Sequence, residues 1–182
     1  PVIVKAHPAH AQTSEMVAAA ILNAATNCHM PDGVFTHVHG AAQEIGEALV
    51  KHPFTKAVGF TGSYGGGKQL FDWGNQRKEP IPVFAEMGSV NPVFLLLEKL
   101  QADADAVAKM YAGSITLGVG QFCTNPGILI GIEGEYLNRF IDTLTTEIKN
   151  TPAAKMLHEG IAKSFGEKKD KAVKDSGVAI LV

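Results

Sequence analysis

Residues 56–69 read Lys56-Ala57-Val58-Gly59-Phe60-Thr61-Gly62-Ser63-Tyr64-Gly65-Gly66-Gly67-Lys68-Gln69, an apolar run passing directly into a glycine-rich turn. The run reads as a short buried strand, and Ser63 stands where a helix would begin. A strand, a glycine turn with Ser63 at its apex and a helix starting there leave free N–H groups and the positive helix end facing an anion, so a phosphate is expected. The stretch falls one residue short of the phosphate loop of nucleotide hydrolases, which requires Ser or Thr where this chain has Gln69. No hydroxyl is then available for magnesium, and the strand Ile81-Pro82-Val83-Phe84-Ala85-Glu86 holds no aspartate to supply a second magnesium element. ATP is therefore disfavoured. A tight turn without any ligand is the competing reading of Gly65 to Gly67.

The same texture extends outward from this stretch. Val2 to Val4, Gly33 to Val38, Ala57 to Phe60 and Ile81 to Ala85 read as short buried strands. Between them a helix is expected from about Ser14 to Ala25, capped by Thr13 and Ser14, with Val17, Ala20, Ile21 and Ala24 on one face. A second helix runs from about Ala42 to Lys51 and stops before Pro53. Strands alternating with helices imply right-handed crossovers and an α/β fold, with a parallel sheet covered on both faces. Beyond Glu86 the pattern repeats, with strands at Val93 to Leu97 and Ile128 to Ile132. One helix carries Val107, Met110, Tyr111, Ser114 and Leu117, and another carries Tyr136, Phe140, Ile141, Leu144 and Ile148. The charge run Glu167 to Asp175 reads as a solvated helix face or loop.

Composition narrows the classes. A chain of 182 residues, 46% hydrophobic and 19% charged, buries one sizeable core or two small ones. The formal charge of -2 is spread over both signs, which gives no basic field for nucleic acid and no anchor for a membrane. No apolar run reaches the roughly 18 to 20 residues of a membrane helix, and no signal pattern opens the chain, so a cytoplasmic location is expected. Pro1 followed by strand-like Val2-Ile3-Val4, without an initiator Met, suggests a piece of something longer. Cys28 and Cys123 form no CxxC pair, so neither a disulfide framework nor a zinc site is indicated. His37 and His39 share one strand face and invite a metal reading, but no third ligand is evident and packing histidines are favoured.

Chemistry concentrates in Gly118-Val119-Gly120-Gln121-Phe122-Cys123-Thr124-Asn125-Pro126-Gly127. A cysteine among glycines and polar residues, at the end of a helical pattern, sits on a turn that exposes its sulfur as a nucleophile. Cys28, at a helix end, has no such setting. Glu86 closes an apolar strand before Gly88, and burial there would raise its proton affinity and suit it to general-base work; a solvated or ion-paired glutamate is the plainer alternative. Lys5 at the end of the first strand and Gly40 at the end of another occupy places where open α/β sheets bind ligands.

Phe60-Thr61-Gly62-Ser63, then Glu86-Met87-Gly88-Ser89 with Asn91-Pro92, then Gly120-Gln121-Phe122-Cys123-Thr124, in this order, resemble the aldehyde dehydrogenase superfamily over essentially the whole chain to about Asn150. Lys-Ala-His-Pro, Pro-Ile-Pro-Val-Phe-Ala-Glu-Met and Gly-Gln-Phe-Cys-Thr-Asn-Pro-Gly look like the α-ketoglutaric semialdehyde (2,5-dioxovalerate) dehydrogenases within it. The resemblance implies a Rossmann-like parallel sheet, with residues 1–86 the second half of a dinucleotide-binding domain and 87–182 the first half of a catalytic domain. It makes Cys123 the nucleophile, whose thiohemiacetal loses hydride to leave a thioester, and Glu86 the base that hydrolyses it. Lys5, His7, Gly40, Phe60, Thr61, Gly62, Ser63, Gly67 and Met87 would bind the cofactor.

Departures from the family pattern set further expectations. Many members carry a Glu three residues after the lysine, where this chain has Pro8; without that carboxylate NADP is expected, with NAD possible. The family's oxyanion asparagine and its downstream Glu-x-Phe-Gly-Pro motif are not found, so an internal fragment, inactive alone and drawn from a homo-oligomeric parent, is expected. The implied partner is a small-molecule aldehyde, 2,5-dioxopentanoate in the leading reading, with no nucleic acid and no membrane. Alternatives are a general or long-chain aldehyde dehydrogenase, a non-catalytic dinucleotide-binding relative, and the nucleotide hydrolase already disfavoured.

Overall fold

Parallel strands cannot be joined by a tight turn, so each pair here encloses a helix. A computed structural model describes residues 1–41 and 43–182, and Ala42, the expected start of the second helix, lies outside the described residues. Two compact units are present, Pro1–Met87 and Gly88–Val182. The first runs β1 (Val2–Lys5), α1 (Ala11–Asn27), β2 (Phe35–Val38), α2 (Gln43–Lys51), β3 (Val58–Gly62), α3 (Tyr64–Asn75) and β4 (Val83–Met87). The second runs β5 (Pro92–Leu95), α4 (Leu97–Thr116), β6 (Ile128–Gly131), α5 (Glu135–Asn150) and α6 (Glu159–Ala172). Register pairs Lys5 with Val38, Gly62 with Met87, and Leu95 with Gly131, all in parallel ladders.

The α/β class and the parallel pairing match the expectation, whereas the cover on both faces does not. Among the described residues the strands form three separate two-stranded pairs. Their side chains are correspondingly open: Ile3 is 53% and Phe84 69% exposed, against the buried strands expected. A two-stranded ribbon has two free edges and lacks the neighbours that would cover it.

The first helix also starts earlier than Thr13 and Ser14 suggested. Pro8 opens a 3-10 turn, Pro8–His10, capped by the His7 side chain, which accepts from the Ala9 N–H at 3.2 Å, and α1 follows from Ala11. Proline pre-sets the helical φ and needs no N–H partner, so the turn forms ahead of the hydroxyl residues. Ser14 is thereby placed inside the helix, and its Oγ hydrogen-bonds the His37 ring at 2.7 Å rather than capping. Ala18 is the buried residue of α1, while Val17 and Ile21 of the expected face are exposed.

The second unit holds the larger core. Leu95, Leu100, Ala104, Val107, Ala108 and Phe140 form one buried cluster, with Tyr136, Ile141 and Leu144 packed against it as the helical spacing of α5 requires. Ala104 and Ala108 of α4 share this cluster with Phe140 of α5, small residues that let the two helices pack, and the Phe140 ring meets Tyr111 edge-on at 6.3 Å between centroids. At the rim, Asp105 accepts from Arg139 Nε at 3.0 Å and from Thr143 Oγ1 at 2.9 Å. The Arg139 bond, then the Thr143 bond, holds the Asp105 carboxyl below its ordinary range. The charge run enters α6 as far as Ala172, with its members exposed.

Two outcomes follow for stability. Phe140, 1% exposed, is the largest fully buried side chain among the described residues, and Phe140→Ala should lower unfolding free energy by about 3–5 kcal/mol in denaturant titration. A carboxyl held low in the folded state stabilises above the unfolded value, roughly pH 4, and that contribution is lost as pH falls through and below it. Asp105→Asn should therefore flatten the acid side of the stability–pH curve and leave the pH dependence above 5 unchanged.

Candidate active site

In the first unit the sequence-predicted residues collect at the carboxyl ends of strands. Lys5 ends β1, half-buried, with its ammonium donating to the Ala6 carbonyl at 3.2 Å. Gly40 follows two residues beyond Val38, the partner of Lys5 in the ladder, and His7 is exposed just past β1. Phe60, Thr61 and Gly62 close β3 opposite Ala85, Glu86 and Met87 of β4, so one ribbon end brings together Phe60, Thr61, Gly62, Glu86 and Met87. Ser63 caps α3, its Oγ accepting from the Gly66 N–H at 3.2 Å.

The glycine run itself differs from its reading. Gly65 to Gly67 lie inside the first turns of α3 rather than forming a loop or tight turn. Gly67 is buried, and a Cβ there would lie 2.3 Å from Met87 Sδ, so the glycine lets the helix settle onto the end of β4. Lys68, where a hydrolase would reach for phosphate, pairs with Asp72 one turn along the helix, at 2.6 Å to Oδ2. Helix propagation past the Ser63 cap explains the change, since each added residue gains a hydrogen bond. Glu86 is exposed, so the burial assumed for it is not supplied by this unit.

Cys123 stands in the second unit on a turn that follows the 3-10 segment Leu117–Gly120, and its side chain is exposed. Cys28, at the end of α1, is exposed as well, so exposure alone does not separate the two thiols. The setting does. Gly118, Val119 and Gly120 have φ of 56°, 59° and 72°, three consecutive left-handed residues of which the β-branched Val119 is strained. Gly118 also makes room for the Phe122 ring, which a Cβ would meet at 2.5 Å.

A brace that the sequence did not suggest fixes the turn. The Cys123 carbonyl accepts from Ser89 Oγ at 2.5 Å and from Asn91 Nδ2 at 2.7 Å, and the same amide reaches the Asn125 carbonyl at 2.9 Å. Asn125 Nδ2 donates to the Ile115 carbonyl at 2.8 Å, and the Gln121 carboxamide bridges the Gly118 carbonyl and the Leu157 N–H. Asn91 has φ 48°, a backbone state that asparagine tolerates. An asparagine before Pro92 was the available signal, since that spot favours a polar turn residue.

The other omission is Glu15. It approaches from α1 to meet both His37 and His39, with His37 Nδ1 to Glu15 Oε1 at 3.2 Å and a closer contact from His39 Nε2. The hydrogen bond from His39 is the main cause holding the Glu15 carboxyl below its usual range, with His37 assisting.

The family model described as "Aldehyde dehydrogenase family" matches residues 2–163. The chain belongs to the aldehyde dehydrogenase family. Its sequence is 48% identical over 98% of its length to "Alpha-ketoglutaric semialdehyde dehydrogenase 2" of Azospirillum brasilense, covering 34% of that protein. It is 40% identical over 97% of its length to "Alpha-ketoglutaric semialdehyde dehydrogenase" of Acinetobacter baylyi, covering 33% of that one. A crystal structure of an NAD-dependent benzaldehyde dehydrogenase from Corynebacterium glutamicum superposes with a TM-score of 0.80 at 24% identity, over 100% of this chain and 39% of that one, a likeness of fold. The chain thus spans about a third of the length of the curated relatives it matches. Among the described residues no helix is long and apolar enough to cross a membrane.

The brace at Cys123 has a measurable weight. Asn91→Ala removes two hydrogen bonds and places a Cβ residue without a local partner at positive φ, and should lower stability by about 1–3 kcal/mol. Asn91→Gly should recover the backbone part only; equal stabilities of wild type and Asn91→Ala in thermal unfolding would show that the turn holds without it.

Proposed function

We propose that this aldehyde dehydrogenase chain carries the nucleophile, the hydrolytic base and most of the dinucleotide contacts of an enzyme that oxidises 2,5-dioxopentanoate to 2-oxoglutarate. The observation that carries the substrate is the 48% identity, sustained over 98% of the chain, to a relative named for α-ketoglutaric semialdehyde. The residues are compatible with a nicotinamide dinucleotide. The carboxyl ends of parallel strands, Gly62 and the Ser63-capped start of α3 offer an approach for a pyrophosphate, and Lys5, at the end of β1, is assigned to a ribose. Phe60, Thr61, Gly67 and Met87 line the same ribbon end, while His7 and Gly40 flank Lys5.

Cys123 adds through its thiolate to the aldehyde carbon, forming the S–C bond and leaving the oxygen as an anion that the Cys123 N–H helps to stabilise. A nicotinamide dinucleotide held by Lys5, Gly62 and Ser63 would supply the hydride acceptor needed for this adduct to become a thioester. Glu86 takes a proton from water, the hydroxide attacks the thioester carbon, and the C–S bond breaks to return the thiolate and release the acid. The strained, braced turn suits this role, because the sulfur is held in place while remaining open to substrate. With Pro8 beyond Lys5 there is no carboxylate at the place where many family members carry a glutamate, which favours NADP, with NAD also accepted. We assign residues 1–86 to cofactor binding and 87–182 to catalysis, in a cytoplasmic homo-oligomer.

Steady-state rates at the relatives' full length, with both cofactors and an aldehyde panel, test the reading. The short dicarboxylic semialdehyde with NADP should give the highest kcat/KM; preference for long-chain or aromatic aldehydes would overturn the substrate. Cys123→Ala should lower kcat by roughly three orders of magnitude or more. Glu86→Gln should keep a first-turnover burst of reduced cofactor while steady turnover falls about 100-fold. Retained turnover in Cys123→Ala would end the proposal.

A further inference from the structure

Glu15, His37 and His39 present one ligand atom each within 4.8 Å of one another, at the end of β2 and under α1. We propose that these three side chains form a binding site for a divalent transition-metal ion of the zinc class, separate from the chemistry at Cys123.

The crossover places them. His37 and His39, two apart at the end of β2, fall on one face, and α1, the helix that joins β1 to β2, carries Glu15 over that face. Two imidazoles and one carboxylate are the donor set of many three-ligand metal sites, which leave a further position for water or an exogenous ligand. Metal–ligand bonds of about 2.0–2.2 Å at tetrahedral angles separate the donor atoms by roughly 3.3–3.5 Å. His37 Nδ1 and Glu15 Oε1 are already 3.2 Å apart, whereas the exposed His39 ring must move back from Glu15 for an ion to enter.

Orientation of His37 is the most specific feature. Its side chain is 7% exposed, and its Nε2 is engaged by Ser14 Oγ at 2.7 Å, one residue before Glu15. With an ion bound, Nε2–H donates to that hydroxyl and Nδ1 offers its lone pair to the metal, the outer-shell arrangement that fixes the tautomer of a ligating histidine. The His37 and His39 rings meet edge to face with centroids 4.7 Å apart, so they do not stack over one another's nitrogens. His39 and Glu15, 44% and 60% exposed, leave a path from solvent. Zinc fits the mixed nitrogen and oxygen donors better than magnesium or calcium, which take oxygen sets.

The experiment is Zn²⁺ binding to the metal-stripped whole protein in competition with a chromogenic chelator, with Co²⁺ absorption as a second readout of coordination. One equivalent is expected, with affinity reduced at least tenfold in His39→Ala and Glu15→Gln, and about tenfold in Ser14→Ala through loss of the outer bond. His39 and Glu15 are surface residues, so these two variants test the site even if buried His37→Ala fails to fold. His52→Ala, elsewhere in the same unit, should bind as wild type does. Wild-type binding no tighter than that of His39→Ala, or an equal loss in His52→Ala, would overturn the site. Zinc affinity does not depend on aldehyde turnover, so failure of either proposal leaves the other standing.

Discussion

Everything in this chain is organised by one constraint, that two parallel strands can be paired only by carrying the backbone back across the ribbon through a helix. Each of the three pairs is such a unit, and each delivers the loop after a strand to the same end as the loop after its partner. Lys5 and Gly40 are brought to one end by the first pair, and Gly62 and Met87 by the second. The positioning of the residues assigned to the dinucleotide is therefore a consequence of backbone hydrogen bonding and chain direction, and their side-chain identities refine it.

The second unit uses a different device. Its thiol stands outside regular structure, where a loop would ordinarily be free to move, and the compensation is a set of hydrogen bonds to main-chain carbonyls from Ser89, Asn91, Asn125 and Gln121. Carbonyls held at both sides of the thiol leave the sulfur itself uncommitted, which is what a nucleophile requires. The Phe140-centred core of the same unit packs α4 against α5, with Ala104 and Ala108 in the buried cluster. Strain at Val119 is sustained because the elements on either side are fixed.

Much of this was legible in the residues. The apolar runs located the six strands of the described residues to within a few positions, and the spacing of Tyr136, Phe140, Ile141 and Leu144 marked the inward face of α5. Cys123 between glycines was placed on a turn for a physical reason, since Gly118 and Gly120 both take positive φ. Less legible was α1, where Pro8 moved the helix start ahead of the serine and threonine that capping preference favoured. Capping rules weigh hydroxyls locally, whereas a proline sets the backbone without needing a partner.

The sequence by itself determined the α/β class, the order of its elements and the motifs of the aldehyde dehydrogenase family, because periodicity and turn chemistry act over a few residues. Only the tertiary structure decided that Gly65 to Gly67 are helical and lie against Met87, that the Cys123 carbonyl is held from Ser89 and Asn91 more than thirty positions away, and that Glu15 meets His37 and His39. The physical reason is shared: each of these contacts joins residues brought together by a crossover or a packed helix, and nothing in the local spacing of either partner encodes the other.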